Sequence, residues 1–431
     1  MKTKLVVIGF LLLAALAAAL LQRHQGDEVL EVSLPSTESP QELVARGQYL
    51  AQAGDCVVCH TARGGAPFAG GRAVPTPFGK LFGPNITPDA ETGIGDWNAD
   101  DFWQALHFGK SRDGHLLYPA FPYPDYTRIS HTDSDALFAY LKTIAPVHQT
   151  SLEPQLSFPY SQRPLLAVWR ALYFKPGVYH ADAQQSEEWN RGAYLVQGPG
   201  HCDACHSARN SLGATVDGQD LAGGVIPVLD WYAPPLNSHL QAGVGSWDLQ
   251  EVADLLKNGV AGHGVASGPM AEVVYNSLQY LSPADVQDIA TYLKTLPAKA
   301  GDADSSGASG MSSAERERER VLALGGSLYG KHCADCHKTS GAGASPQYPS
   351  LAGNPTVTGR HTINLIRMLL NGGFPPGTQG NPRPYGMPPF GESLNDEQAA
   401  AVLFYIRNSW GNQGAPIAPS EVNRNRGAAI D

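Results

Sequence analysis

Cys56-Val57-Val58-Cys59-His60 decides the reading of this 431-residue chain, because its pattern returns as Cys202-Asp203-Ala204-Cys205-His206 and as Cys333-Ala334-Asp335-Cys336-His337. The chain has six cysteines, and the three copies of C-x-x-C-H use all of them. This is the attachment sequence of c-type haem. Two thiols add to the vinyl groups of one porphyrin, and the adjacent imidazole ligates its iron. Two intervening residues let one short helical turn offer both sulfurs and the histidine to the same macrocycle. Disulfides would not require a histidine after every second cysteine. Zinc would need four ligands where each motif offers three crowded ones, and thioredoxin-type chemistry would need a βαβ setting. The expected cofactors are three covalently bound haem c groups. Cys56 and Cys59, Cys202 and Cys205, and Cys333 and Cys336 would hold them, with His60, His206 and His337 as proximal iron ligands.

Composition agrees with small cofactor-centred domains. Charged residues make up only 16% of the chain, whereas glycine (47) and proline (33) are plentiful. A porphyrin supplies apolar core that side chains then need not supply. The formal net charge of -10 argues against nucleic acid as a partner and favours a basic docking surface on another protein. The length accommodates about three domains at ~100–200 residues each.

Residues 1–24 read as a signal or anchor helix. Met1-Lys2-Thr3-Lys4 precedes seventeen apolar residues, 5–21. The lysines favour keeping that end in the cytoplasm and exporting the rest. The run sits at the short end of the ~17–25 residues of a spanning helix and exceeds the ~7–15 of a signal-peptide core. An uncleaved anchor is the expectation, and the chain then lies at the periplasmic face of the bacterial cytoplasmic membrane.

Self-comparison divides the remainder. Arg46-Gly47-Gln48-Tyr49-Leu50 before the first motif matches Arg191-Gly192-Ala193-Tyr194-Leu195 before the second. Pro84-Asn85-Ile86-Thr87 is set against Pro235-Leu236-Asn237-Ser238, and Gly93-Ile94-Gly95-Asp96-Trp97 against Gly243-Val244-Gly245-Ser246-Trp247. Gly109 and Gly259 suit helix C-caps. Closing helices are expected over 135–144, 284–296 and 396–410. Before the third motif Gly326-Ser327-Leu328-Tyr329 stands in for the Arg-Gly pattern. The expected domains are 42–150, 187–298 and 315–412. Between them lie a connecting segment with an amphipathic helix, 151–186, and a flexible linker, 299–314, and residues 413–431 form an extended tail. The expected fold class is mainly α.

Methionine opposite the histidine closes a haem site and suits an electron carrier. Of five methionines, Met1 initiates the chain, Met311 lies in the linker and Met368 sits in an apolar helical stretch. Met270 and Met387, in Gly/Pro-rich loops before closing helices, are the expected sixth ligands of the second and third haems. The first domain has no methionine, and Phe121 stands where Met270 would fall. Its site is either five-coordinate or completed by a histidine, with His115 the nearest candidate ahead of His107 and His131.

The chain resembles the three-haem cytochrome c subunits of bacterial periplasmic membrane-bound dehydrogenases, from about residue 42 to residue 410. The marks are the Arg-Gly-x-Tyr-Leu pattern, the Gly-x-Gly-x-Trp elements, Leu117-Tyr118-Pro119-Ala120 and Gly268-Pro269-Met270-Ala271-Glu272-Val273-Val274. That resemblance implies three tandem class I cytochrome c domains and a partner catalytic subunit acting on alcohol, gluconate, sorbitol or fructose, or a molybdenum-containing dehydrogenase. It also implies electron delivery to membrane quinone, a downstream cytochrome or an oxidase. Family members often carry methionine where this chain has Phe121. No nucleotide-binding or hydrolytic motif is evident, so a non-catalytic electron-transfer subunit is expected. Two rival readings are an open ligand-binding or peroxidatic first haem, and an electron-donor subunit of a terminal oxidase.

Overall fold

Ser39 starts the helix Pro40–Ala53 with a reciprocal cap: its hydroxyl accepts from the Glu42 N–H, and Glu42 Oε2 accepts from the Ser39 N–H at 2.8 Å. Ser130 likewise caps the helix His131–Leu141 by accepting from the Asp133 N–H. The two helices cross where Gly47 passes the carbonyl of Ala136, and Arg46 ties the crossing to Asp133 at 2.5 Å. The same crossing recurs. Helix Glu187–Gln197 meets Pro283–Thr295 at Gly192 and the Asp288 carbonyl, with Arg191 paired to Asp285 at 2.7 and 2.8 Å. Helix Ser313–His332 meets Asp396–Arg407 at Gly325, against the Ala401 carbonyl. Gly325, not Gly326, therefore occupies the crossing. Only a residue without Cβ permits this backbone approach.

The computed structural model describes residues 38–239, 243–298 and 313–427. The sequence-predicted anchor, the linker residues 299–312 and Met311 lie outside the described residues. Among the described residues no helix is long and apolar enough to cross a membrane. Two compact units result. One runs to Ala181 and takes in Gln197–His201, and the other comprises Asp182–Val196 with the chain from Cys202 onward. The second and third C-x-x-C-H motifs lie in the same unit.

Each motif is followed by a loop and then a packing helix. In the first unit the strands Ala73–Thr76 and Gly79–Phe82 pair antiparallel, and Gln155–Leu156 adds a third strand. In the second unit Gly224–Ile226 pairs with Trp231–Ala233. Helices Ala99–Phe108 and Leu249–Asn258 end at Gly109 (φ 58°) and Gly259 (φ 75°), the left-handed caps expected of those glycines.

Some boundaries differ from the sequence reading. The first closing helix starts at His131 instead of residue 135, because Ser130 is its cap. The third stops at Arg407 rather than running to residue 410. The tail is not wholly extended: Pro419–Asn425 is a helix, with Pro419 in its first turn and Val422 fully buried. Arg426 fastens it, donating to the Leu394 carbonyl and pairing with Asp396. In the connecting segment, helix Leu165–Tyr173 buries Leu166 and Arg170 against the first domain and leaves Leu165, Val168 and Leu172 exposed. Arg170 lies against the rings of Tyr123 and Phe174 and donates to the Phe108 carbonyl.

Candidate haem centres

His60 Nδ1 lies 2.8 Å from the Pro84 carbonyl, His206 Nδ1 2.7 Å from that of Pro234, and His337 Nδ1 3.0 Å from that of Pro349. A carbonyl only accepts, so each Nδ1 must carry the proton. Each Nε2 then offers its lone pair, which is the tautomer that ligates iron, and the bond raises the ring's basicity. Burial holds all three imidazoles below the ordinary histidine range, opposed by the prolyl carbonyl.

The loop around each histidine repeats in backbone detail. The carbonyls of His60, His206 and His337 accept from Gly70, Gly223 and Gly343. Those of Phe68, Leu221 and Gly341 accept from Ile86, Leu236 and Leu351. Phe68 (φ 62°), Leu221 (φ 55°) and Gly341 (φ 67°) all adopt the left-handed region, which is costly for the two bulky residues. This pairing also corrects the sequence alignment by one residue, since Pro84 corresponds to Pro234 and not to Pro235. Sequence reading missed the prolines because they follow their histidines at separations of 24, 28 and 12 residues.

The cysteines form no disulfides. Burial, helped by neighbouring charge, pushes the Cys56 thiol up to about 12 and the Cys333 thiol to about 11. Trp247 Nε1 and Asn237 Nδ2 are buried donors with no protein acceptor. They suit a carboxylate such as a porphyrin propionate, so the donor set around the second motif fits haem on both its metal and its acidic edge.

Met387 sits in a loop as expected, exchanging both backbone hydrogen bonds with Gly373 at 3.0 and 2.8 Å. Met270 does not: it lies in the first turn of a helix, Pro269–Asn276, which Gly268 (φ 54°) and Pro269 start. Met368 packs its thioether beside Gly373. Leu116 pairs with Lys110, and Val265 pairs with Val260. Counting on equally from Leu116 and Val265 reaches Phe121 and Met270. Phe121 packs edge-on against Tyr126 at 5.4 Å.

The candidate histidines of the first domain are placed differently from one another. His115 Nδ1 meets Asp113 at 2.5 Å on an exposed turn, as His263 meets Glu251 at 2.9 Å in the second. His107 and His131 are buried against Trp103, with ring centroids at 4.3 and 4.6 Å.

Paired cysteines, a metal-ready imidazole and a helical cradle define a c-type cytochrome. The family model described as cytochrome c matches residues 44–145 and 322–410, and the second motif lies between these stretches. The gluconate 2-dehydrogenase cytochrome c subunit of Pantoea cypripedii is 41% identical over 88% of each chain. The cytochrome c subunit of the quinone-type alcohol dehydrogenase of Gluconobacter oxydans is 35% identical, over 90% of this chain and 83% of its own. The fructose dehydrogenase cytochrome subunit of Gluconobacter japonicus is 38% identical, over 89% and 82%. The chain belongs to this family of dehydrogenase cytochrome c subunits, and its cofactor is covalently bound haem c.

Proposed function

We propose that the chain is a three-haem electron-transfer subunit. It would take electrons from a separate dehydrogenase catalytic subunit at the periplasmic face of the cytoplasmic membrane and pass them to quinone, a cytochrome or an oxidase. The carrying observation is the threefold hydrogen bond from a motif histidine to a prolyl carbonyl. It supports three class I cytochrome c domains, 42–150, 187–298 and 315–412, although the family model matches two stretches. The relatives' names favour a dehydrogenase partner over a terminal oxidase.

Haem c, once attached, supplies one-electron iron chemistry. In this reading the chain attaches haem 1 through Cys56 and Cys59, haem 2 through Cys202 and Cys205, and haem 3 through Cys333 and Cys336. His60, His206 and His337 would each hold the iron, their rings oriented by the carbonyls of Pro84, Pro234 and Pro349. Met270 and Met387 would supply a thioether ligand to haems 2 and 3, which would raise their potentials. At haem 1 Phe121 supplies no ligand, and His115 is engaged by Asp113 in the manner of His263. Residues 1–24 anchor or export the chain.

Intact mass of the protein purified from membranes tests this reading. Three haem additions are expected, falling to two in the C202A/C205A variant, together with co-purification of a dehydrogenase whose substrate reduces the haems. Two haems in the unaltered chain, or haems that no co-purifying dehydrogenase reduces, would overturn it.

A further inference from the structure

The strand Trp231–Ala233 leads directly into Pro234, whose carbonyl holds His206. The Trp231 indole also lies against Gly268: a Cβ built there would fall 2.6 Å from the ring. Gly268 is two residues before Met270. One tryptophan therefore touches the segments that present both axial ligands assigned to haem 2. Its counterpart in the first domain, at the spacing set by Pro84 and Pro234, is Leu81.

Trp231 also meets the segment that follows the third motif, within the same compact unit. Arg367, 2% exposed, places its guanidinium 4.8 Å from the Trp231 ring centroid. Arg367 belongs to the helix Ile363–Asn371, and this helix and the residues just before it grip the haem-2 strand further. Asn364 accepts from the Tyr232 N–H at 2.9 Å and donates to its carbonyl at 2.7 Å, and His361 stacks on the Tyr232 ring at 3.8 Å. On the same helix, Met368 packs against Gly373, the backbone partner of Met387. The chain leading to Met387 touches the second domain again, where Thr378 Oγ1 donates to the Asn258 carbonyl at 3.0 Å.

We propose that the Trp231–Arg367 contact is the coupling element between haem 2 and haem 3, held in register by the helix Ile363–Asn371. This deepens the three-haem reading and rests on it. The transfer is of one electron: ferrous iron at one end is oxidised as ferric iron at the other is reduced, and no bond forms or breaks. Two physical effects follow from the geometry. An aromatic and a guanidinium replace solvent along the contact with polarisable, fixed groups. The buried cation also favours the less positive ferrous state, so Arg367 holds the neighbouring haem potentials up. Both residues are positioning residues, since neither ligates iron.

The test uses the full-length three-haem protein and laser-flash photoreduction, following re-equilibration between haems 2 and 3, with a potentiometric titration alongside. Arg367→Gln and Trp231→Leu are expected to slow re-equilibration by about tenfold or more, and Arg367→Gln to lower a haem midpoint potential. Arg367→Lys, which keeps a cation over the indole, is expected to restore most of the rate and the potential. Thr378→Val, which loosens the same domain contact elsewhere, is expected to leave both unchanged. Unaltered kinetics in Arg367→Gln, or equal slowing in Thr378→Val, overturns the proposal while leaving the three-haem reading intact. An unaltered chain lacking haem at Cys202 or Cys333 overturns that reading itself.

Discussion

Gly47 passes so close to Ala136 that a Cβ built on the glycine would lie 1.8 Å from the Ala136 carbonyl oxygen. The opening and closing helices of the first domain meet through this approach, and Leu50, Ala136 and Leu137 pack in the core beside it. The same relation joins Gly192 to Asp288 at 2.0 Å and Gly325 to Ala401 at 2.2 Å. One close approach thus recurs in the helix pair that frames each of the three motifs.

Gly47→Ala should therefore destabilise the first domain selectively. The methyl cannot be accommodated without separating two backbones, an overpacking cost of about 1–3 kcal/mol. Thermal unfolding followed at the haem-1 absorbance should shift downward. Equal melting of Gly47→Ala and the unaltered protein would refute the crossing geometry.

The tail helix should matter to the third domain. Val422 is fully buried against a core that includes Leu365, Leu369, Ile406 and Ile417, and Arg426 clamps the helix to Asp396. Val422→Ala removes methyls from a packed site, a loss on the order of 1–3 kcal/mol. Urea unfolding monitored at haem 3 should show the loss, while truncation after residue 418 should show a larger one. A tail that merely trails in solvent would give neither.

His107 should make the fold around it acid-sensitive. Burial is the main cause that lowers its pKa from 6.5 to about 4, with smaller contributions from His131 and Arg128 in the same direction and an opposing one from Thr127. The unfolded chain takes up a proton as pH falls through about 6.5, whereas the native ring resists until about 4. The unfolded state thus binds more protons across that window. Stability is complete above it and falls by up to about 3 kcal/mol on descending through it. His107→Phe keeps the stacking on Trp103 and removes the titration. Its urea midpoint should vary less between neutral and mildly acidic pH than that of the unaltered protein; identical pH dependence would refute the assignment.

Much of this was legible in the sequence because covalent haem attachment leaves a rigid signature. Three pentapeptides consumed every cysteine, and the glycines at 109 and 259 marked helix ends that the structure confirms. What escaped was whatever depends on through-space closure with variable spacing. The prolyl carbonyls follow their histidines at 24, 28 and 12 residues, so no fixed-offset comparison finds them. The Trp231–Arg367 contact joins residues 136 positions apart, which no internal repeat relates. The tail helix was hidden by its small size and polar composition, and only Val422 and Arg426, once placed, explain it.

Phe121 gives the sharpest prediction. It falls at the position corresponding to Met270, packs edge-on to Tyr126 at 5.4 Å, and offers no donor to iron. His115 pairs with Asp113 on the surface, as His263 pairs with Glu251 in the stretch that carries Met270. Phe121→Met should therefore convert haem 1 to histidine–methionine ligation and raise its potential. If three haems are attached as proposed, the reduced, unaltered protein should bind carbon monoxide at one of them, and Phe121→Met should abolish that binding. His115→Ala should leave the EPR and visible spectra of haem 1 unchanged. If His115→Ala instead converts haem 1 from low-spin to high-spin, His115 is the sixth ligand and the surface pair with Asp113 must break when haem is bound.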